Sequence, residues 1–265
     1  MFRRIANTLK RYASLTALGI IIGIILPIII VFSNLPRQIF LLAFLASMGD
    51  ISGGLFPFHP RFRSISTRYV IALASGVVVS AAFFELLPEA HVESNWGLLG
   101  AGFFTMYLID KGLALHQCGE SECEVTGVSW VAVLGMASDN IIDGVGIAVA
   151  YLIKPGLAII VTLAVVAHEI PQGIASTLVM KAQNYRLSRI IAVLLLAAVT
   201  YPLGASLSQF IPISANQQAI AFVAGVFIYT GATELMTEAH RRFNVFVILF
   251  LLLGSLVALS LKFIG

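Results

Sequence analysis

The chain has 265 residues, of which 59% are hydrophobic and only 11% charged, with a positive mean hydropathy and a formal net charge of +3 at pH 7. That composition excludes a water-soluble globular domain and a disordered tail, and it describes a polytopic membrane protein whose surroundings are the lipid bilayer. The small positive charge gives no argument for a nucleic-acid partner, because its distribution follows membrane topology.

Taking about 20 apolar residues per crossing, the polar breaks predict nine helices in chain order: 15–33, 38–56, 69–90, 96–116, 128–152, 157–180, 190–210, 218–239 and 245–263. The expected class is all-α, a polytopic membrane helical bundle, and 1–265 reads as one transmembrane domain with only short connections. The first span follows the basic residues Arg3, Arg4, Lys10 and Arg11. Its apolar stretch runs well past the roughly 7–15 residues of a signal-peptide core, so a retained anchor helix is expected.

Lysine and arginine set the orientation. With the N-terminus inside, Arg3, Arg4, Lys10, Arg11, Arg61, Arg63, Arg68, Lys111, Lys181, Arg186, Arg189, Arg241 and Arg242 fall on the cytoplasmic side, leaving Arg37, Lys154 and Lys262 outside. A cell membrane, plasma or inner, with the C-terminus outside is therefore expected. Cys118 and Cys123, in the loop after the fourth span, then face the reducing side, and no structural disulfide is expected. That loop also carries His116, Glu120, Glu122 and Glu124. A solvated acidic loop is the favoured reading there, with capture of departing metal as the alternative.

The fifth and sixth spans share one polar pattern. Asp139-Asn140-x-x-Asp143-Gly144 returns as His168-Glu169-x-x-Gln172-Gly173, and 168 minus 139 and 172 minus 143 both give 29. Each cluster sits in the middle of an apolar run, near the membrane midplane, where an ionisable group costs roughly 2.5–3.5 kcal/mol on insertion scales. Several at one depth should share a partner or an ion. Asp139 and Asp143 are one helical turn apart and share a face; His168 and Gln172 do the same on the next helix, with Asn140 and Glu169 about 100° around. Three carboxylates, an imidazole and two amides make a borderline-to-hard donor set, suited to Zn²⁺, Mn²⁺ or Fe²⁺ and poor for Cu⁺. Pro171 removes a helix hydrogen bond, and Gly144, Gly146 and Gly173 allow close helix approach. A purely structural reading, a buried interhelical hydrogen bond between Asp143 and His168, is the weaker alternative.

A second echo flanks the first. Glu85-Leu-Leu-Pro-Glu89-Ala-His91 returns as Glu234-Leu-Met-Thr-Glu238-Ala-His240, 149 residues on. With nine spans the two copies run in opposite directions, so the repeat is inverted, the sequence signature of a secondary transporter. Solvation of these helix ends and a role in metal entry and exit are equally open readings. Asp50, deep in the second span, reads as either a pathway group or an interhelical contact.

These residues resemble the Zrt/Irt-like (ZIP) divalent-metal transporters. In that family a His-Asn-x-x-(Asp/Glu)-Gly helix precedes a His-(Asn/Glu/Asp)-x-Pro-(Glu/His) helix, and Asn140, Asp143, Gly144, His168, Glu169 and Pro171 match. The stretch 82–90 is similar to the family's Phe-x-x-Leu-Leu-Pro-Glu-Ala helix end, and 201–205 to Glu-Pro-x-Gly-Ala. The resemblance implies an eight-helix core over 38–265, with 1–33 as an additional N-terminal helix. It also implies a divalent cation as transported substrate, and a homodimer is compatible with it; the metal preference is not inherited from the family, and Zn²⁺ is the expected ion, with Mn²⁺, Fe²⁺ or Cd²⁺ as alternatives.

The chain departs from the family at Asp139, where a His is usual, at Gln172, where a Glu or His bridges two metal positions, and at Tyr201, where a second-site Glu often lies. A single metal site on Asp139, Asp143 and His168, supported by Asn140, Glu169 and Gln172, is therefore expected. The expected function is metal transport toward the cytoplasm by alternating access, without enzymatic chemistry. Two rivals are a non-transporting metal sensor or scaffold on the same fold and an intramembrane metalloprotease. The second is opposed by Gln172 in place of the second His of a His-Glu-x-x-His pattern, and by Pro171 between them.

Overall fold

Long apolar runs in lipid must satisfy their own backbone groups, and helices do so within one segment. The computed structural model describes residues 33–64, 66–118, 130–241 and 244–261. All the regular structure there is helical. The helices are α1 (Arg37–Leu55), α2 (Thr67–Ala81, continued by a π-helical turn Ala82–Leu86 and by Leu87–Glu89), α3 (Val92–Cys118), α4 (Trp130–Ile153), α5 (Pro155–Ala182), α6 (Leu187–Leu207), α7 (Asn216–Ile228, continued by the π-helical segment Tyr229–Leu235 and by Met236–Ala239) and α8 (Val245–Leu261). They coincide with the last eight predicted spans to within a few residues. The first, 15–33, and the 119–129 loop lie outside the described residues, as do the side chains of His116 and Cys118.

Six helices among the described residues are long and apolar enough to cross a membrane, and Val245–Ser260 is apolar but shorter. The 27-residue α3 starts with a kink, where Asn95 has φ −126° and ψ 19°. Its side-chain amide donates to the carbonyls of Ala90 (2.9 Å) and His91 (3.3 Å), which ties down the turn between α2 and α3. His91 itself is left-handed, with φ 46°, and this reverses the chain. At the start of α5, Pro155 occupies a first-turn position, where its missing N–H costs nothing.

Packing reveals the internal symmetry. α1 lies along α5 as α4 lies along α6, and α2 lies along α8 as α3 lies along α7. The π-helical turn of α2 falls, 149 residues on, inside the π-helical segment of α7, so the echo in sequence is also an echo in backbone geometry. The two central crossings match in detail. A Cβ on Gly173 would run into the backbone of Asp50, and a Cβ on Gly144 into the backbone of Tyr201; likewise Gly53 faces Ile170 and Gly204 faces Ile141. Only a residue without a side chain lets the backbones come this close. The fold is an all-α membrane bundle of inverted repeats, with its center at the α4–α5 pair.

Candidate metal centre

The residues that sequence spacing placed on facing helices meet in space. Ligand atoms of Asp139 and Asp143 on α4 and of His168 and Glu169 on α5 all lie within 4.8 Å of one another, and all four side chains are buried. Two ligands on a tetrahedral Zn²⁺, with bonds of about 2.1 Å, stand about 3.4 Å apart, so the 4.8 Å spread needs a contraction of about 1.4 Å at its widest. Side-chain rotation covers that distance.

The imidazole is oriented on both sides. His168 Nδ1 lies 3.0 Å from the carbonyl of Ala164, one turn earlier, which can only accept; Nε2 lies 3.1 Å from Asp143 Oδ2 and 3.4 Å from Glu169 Oε1. With Nδ1–H committed to the carbonyl, Nε2 is the nitrogen that faces the carboxylates, donating to them when the ring is protonated and offering its lone pair to a metal ion when the ring is neutral. Phe227 packs edge-on against the ring at 5.9 Å, an apolar wall. Several oxygens accept no hydrogen bond from the described residues: Asp139 Oδ1, Asp143 Oδ1 and Glu169 Oε2. Buried, unpartnered carboxylate oxygens are costly unless a cation answers them.

Of the six side chains expected to converge, four do. Gln172 touches the group at its edge, its amide donating to Asp139 Oδ2 at a long 3.5 Å. Asn140 turns its amide away, donating to the carbonyl of Ala197 on α6 at 3.1 Å, because the α4–α6 crossing brings that carbonyl within reach. Its Oδ1 is buried and meets no donor among the described residues. Glu169, expected only in support, stands among the four.

Sequence reading left two acids undecided. Asp50 on α1 is 0% exposed and packs closely on Gly173 of α5, and neither carboxylate oxygen accepts a hydrogen bond from the described residues. Glu234 on α7 lies in the electrostatic field of Asp139, His168 and Glu169, and in that of Asp110 and Lys111 on α3. Asp110 in turn accepts from Tyr229 at 2.6 Å and pairs with Lys111 at 2.7 Å. Asp110 on α3 is thus tied to α7 through Tyr229, on the helix that also carries Glu234.

Fold and cluster together define a polytopic helical membrane protein with a buried acid and imidazole center at the crossing of two inverted repeats. The family model of the ZIP zinc transporters matches residues 111–262. The chain belongs to that family. A protein of Arabidopsis thaliana named "Putative zinc transporter" is 29% identical over 189 residues, covering 64% of this chain and 29% of that protein. An uncharacterized protein of Methanocaldococcus jannaschii is 25% identical over 150 residues, covering 53% of this chain and 62% of the archaeal one. The matches thus span less than two thirds of either relative.

Proposed function

We propose that this chain transports a divalent metal ion, Zn²⁺ foremost, across a cell membrane toward the cytoplasm. The observation that carries the reading is the buried convergence of Asp139, Asp143, His168 and Glu169. In this reading the ion sheds water at the bundle center and takes carboxylate and imidazole ligands in exchange. Asn140 and Gln172 hold the two helices and the Asp139 carboxylate in place. The inverted halves then rock about the site, exposing it to one side and then the other. With the N-terminus inside, Glu234 and Asp110 lie on the cytoplasmic half, on the ion's way out.

Reconstitution tests this. Protein in liposomes should take up Zn²⁺ against a metal-reporting dye, with Mn²⁺, Fe²⁺ and Cd²⁺ measured beside it to give the selectivity. Metal binding without uptake of any of the four ions would instead establish the sensor or scaffold reading. Absence of binding as well would end the metal reading altogether.

A further inference from the structure

Lys111 stands apart from the other cationic residues. Among the described residues, no other Lys or Arg lies more than one turn from the end of an α-helix. Lys111 is on α3, which ends at Cys118; 118 minus 111 gives seven residues, about 10 Å of rise. A lysine at that depth can extend its stem and place its ammonium at the interface. Here the ammonium stands 2.7 Å from Asp110 Oδ2, and the same oxygen accepts a 2.6 Å hydrogen bond from the Tyr229 hydroxyl of α7.

The two helices present these groups to each other. Phe103, Tyr107 and Lys111 follow at four-residue spacing down one side of α3. The rings of Phe103 and Tyr107 lie edge-on to that of Tyr229, at 5.3 and 6.2 Å. Tyr229 opens the π-helical segment Tyr229–Leu235, in which residues five apart are joined across one turn. Glu234 is five residues on, so it follows Tyr229 on the face turned to α3. Glu234 lies in the field of Asp110 and Lys111 on one side and of His168 and Glu169 on the other. Asp110 and Glu234 together carry two negative charges, the amount that balances one divalent ion. Lys111 cancels one of them from within the chain.

We propose that Lys111 is a tethered cation whose ammonium occupies the Asp110 and Glu234 carboxylates, so that a divalent ion released from the central cluster passes them without lodging. The proposal rests on the transport reading given above. Being attached to α3, the ammonium competes with the ion at a high effective concentration. It shortens the ion's stay at the carboxylates and leaves the direction of net flow to the gradient.

Removing the charge tests this in the purified full-length chain and in proteoliposomes. Lys111→Met should bind one more Zn²⁺ per chain than the unmodified protein, counted by metal analysis after equilibrium dialysis. Its maximal rate of Zn²⁺ uptake should fall by about fivefold, the upper end for a partly exposed charge pair. Lys111→Arg should keep the original count and rate, and Lys111→Met combined with Glu234→Gln should lose the extra ion. Lys111→Gln, which keeps a donor toward Asp110, serves for the same measurements if Lys111→Met does not fold. Zn²⁺ binding and uptake by the unmodified protein, with no extra ion in the neutral variants or an extra ion that survives Glu234→Gln, overturns the tethered cation alone. Slower uptake without a gain of metal assigns Lys111 to packing and overturns it equally. Absence of Zn²⁺ binding in the unmodified protein overturns the metal reading instead, and this proposal with it.

Discussion

Asp143 Oδ2 stands 3.1 Å from His168 Nε2, while the other ring nitrogen is held at 3.0 Å from a carbonyl that can only accept. With both ring nitrogens facing acceptors, the imidazole either carries both protons and donates to Asp143 or shares its Nε2 lone pair with a metal ion, so in each case the pair is built around a positive charge. The consequence for mutation is direct. Asp143→Ala or His168→Ala should abolish uptake in proteoliposomes and weaken metal binding by more than the roughly 10–100-fold that loss of an outer partner brings, with folded protein still recovered from the membrane. Unchanged uptake in both variants would remove these residues from the site, and loss of folded protein in both would return them to a packing role.

Gln172 lies at the margin of the cluster, its neutral amide 3.5 Å from Asp139 Oδ2. Replacing it with Glu keeps the size and adds a carboxylate one turn beyond His168. Gln172→Glu should therefore tighten divalent-metal binding, seen by calorimetric titration in detergent. Weaker or unchanged binding would show that the amide's hydrogen bond to Asp139 matters more than an added charge.

The close crossing of α1 and α5 gives a prediction about stability. A methyl at position 53 would meet the Ile170 backbone, its Cα at 2.8 Å, whereas one at position 97 would meet nothing within 4 Å. Gly53→Ala should lower stability by about 1–3 kcal/mol, the usual cost of overpacking, and so lower the unfolding midpoint in detergent. Gly97→Ala is the control and should leave the midpoint unchanged or slightly raised, as Ala is the better helix former. Equal midpoints for the two variants would mean that the helices separate more easily than their packing indicates.

How much of this was readable beforehand depended on whether the signal was local. Asp139 with Asp143, and His168 opposite them, were legible because helical spacing fixes which side chains share a face and two adjacent helices joined by a short turn must lie side by side, whereas Glu169, about 100° around from His168, was expected only in support. The orientation of Asn140 was not legible, since its partner is the Ala197 carbonyl 57 residues away and no periodicity encodes that. Asp50 stood out as an acid in an apolar run, but its close packing on Gly173 of α5, with no donor to its oxygens among the described residues, comes from a contact far apart in sequence. Its equivalence to Tyr201 was hidden for a simpler reason. The sequences around them share little beyond the glycine three residues on, Gly53 and Gly204, and backbone approach preserves that glycine while side chains diverge. The eight helices among the described residues were legible from hydropathy, whereas the π-helical turns in α2 and α7 showed themselves only as an unexplained echo of Glu-Leu-x-x-Glu-Ala-His.

Orientation is the last expectation, and it rests on thirteen of the 16 Lys and Arg residues falling on one side. The turn between α2 and α3, held by Asn95, should face outward, and the turn after α5, where Asn184 is left-handed with φ 58°, should face the cytoplasm. With Cys118 and Cys123 replaced by Ser, a single cysteine at Ser94 should react with a membrane-impermeant thiol reagent on intact cells. One at Asn184 should react only after permeabilization. The outcome bears on transport as well as on topology, because inverted repeats supply two equivalent doors only if the Glu85 and Glu234 ends open to opposite sides. Between Ser94 and Asn184 lie α3, α4 and α5, an odd number of crossings, so labeling of both positions from outside would mean that one of these helices does not span. The α3 helix, which carries Asp110 and Lys111 in its interior, would then be the first to re-examine.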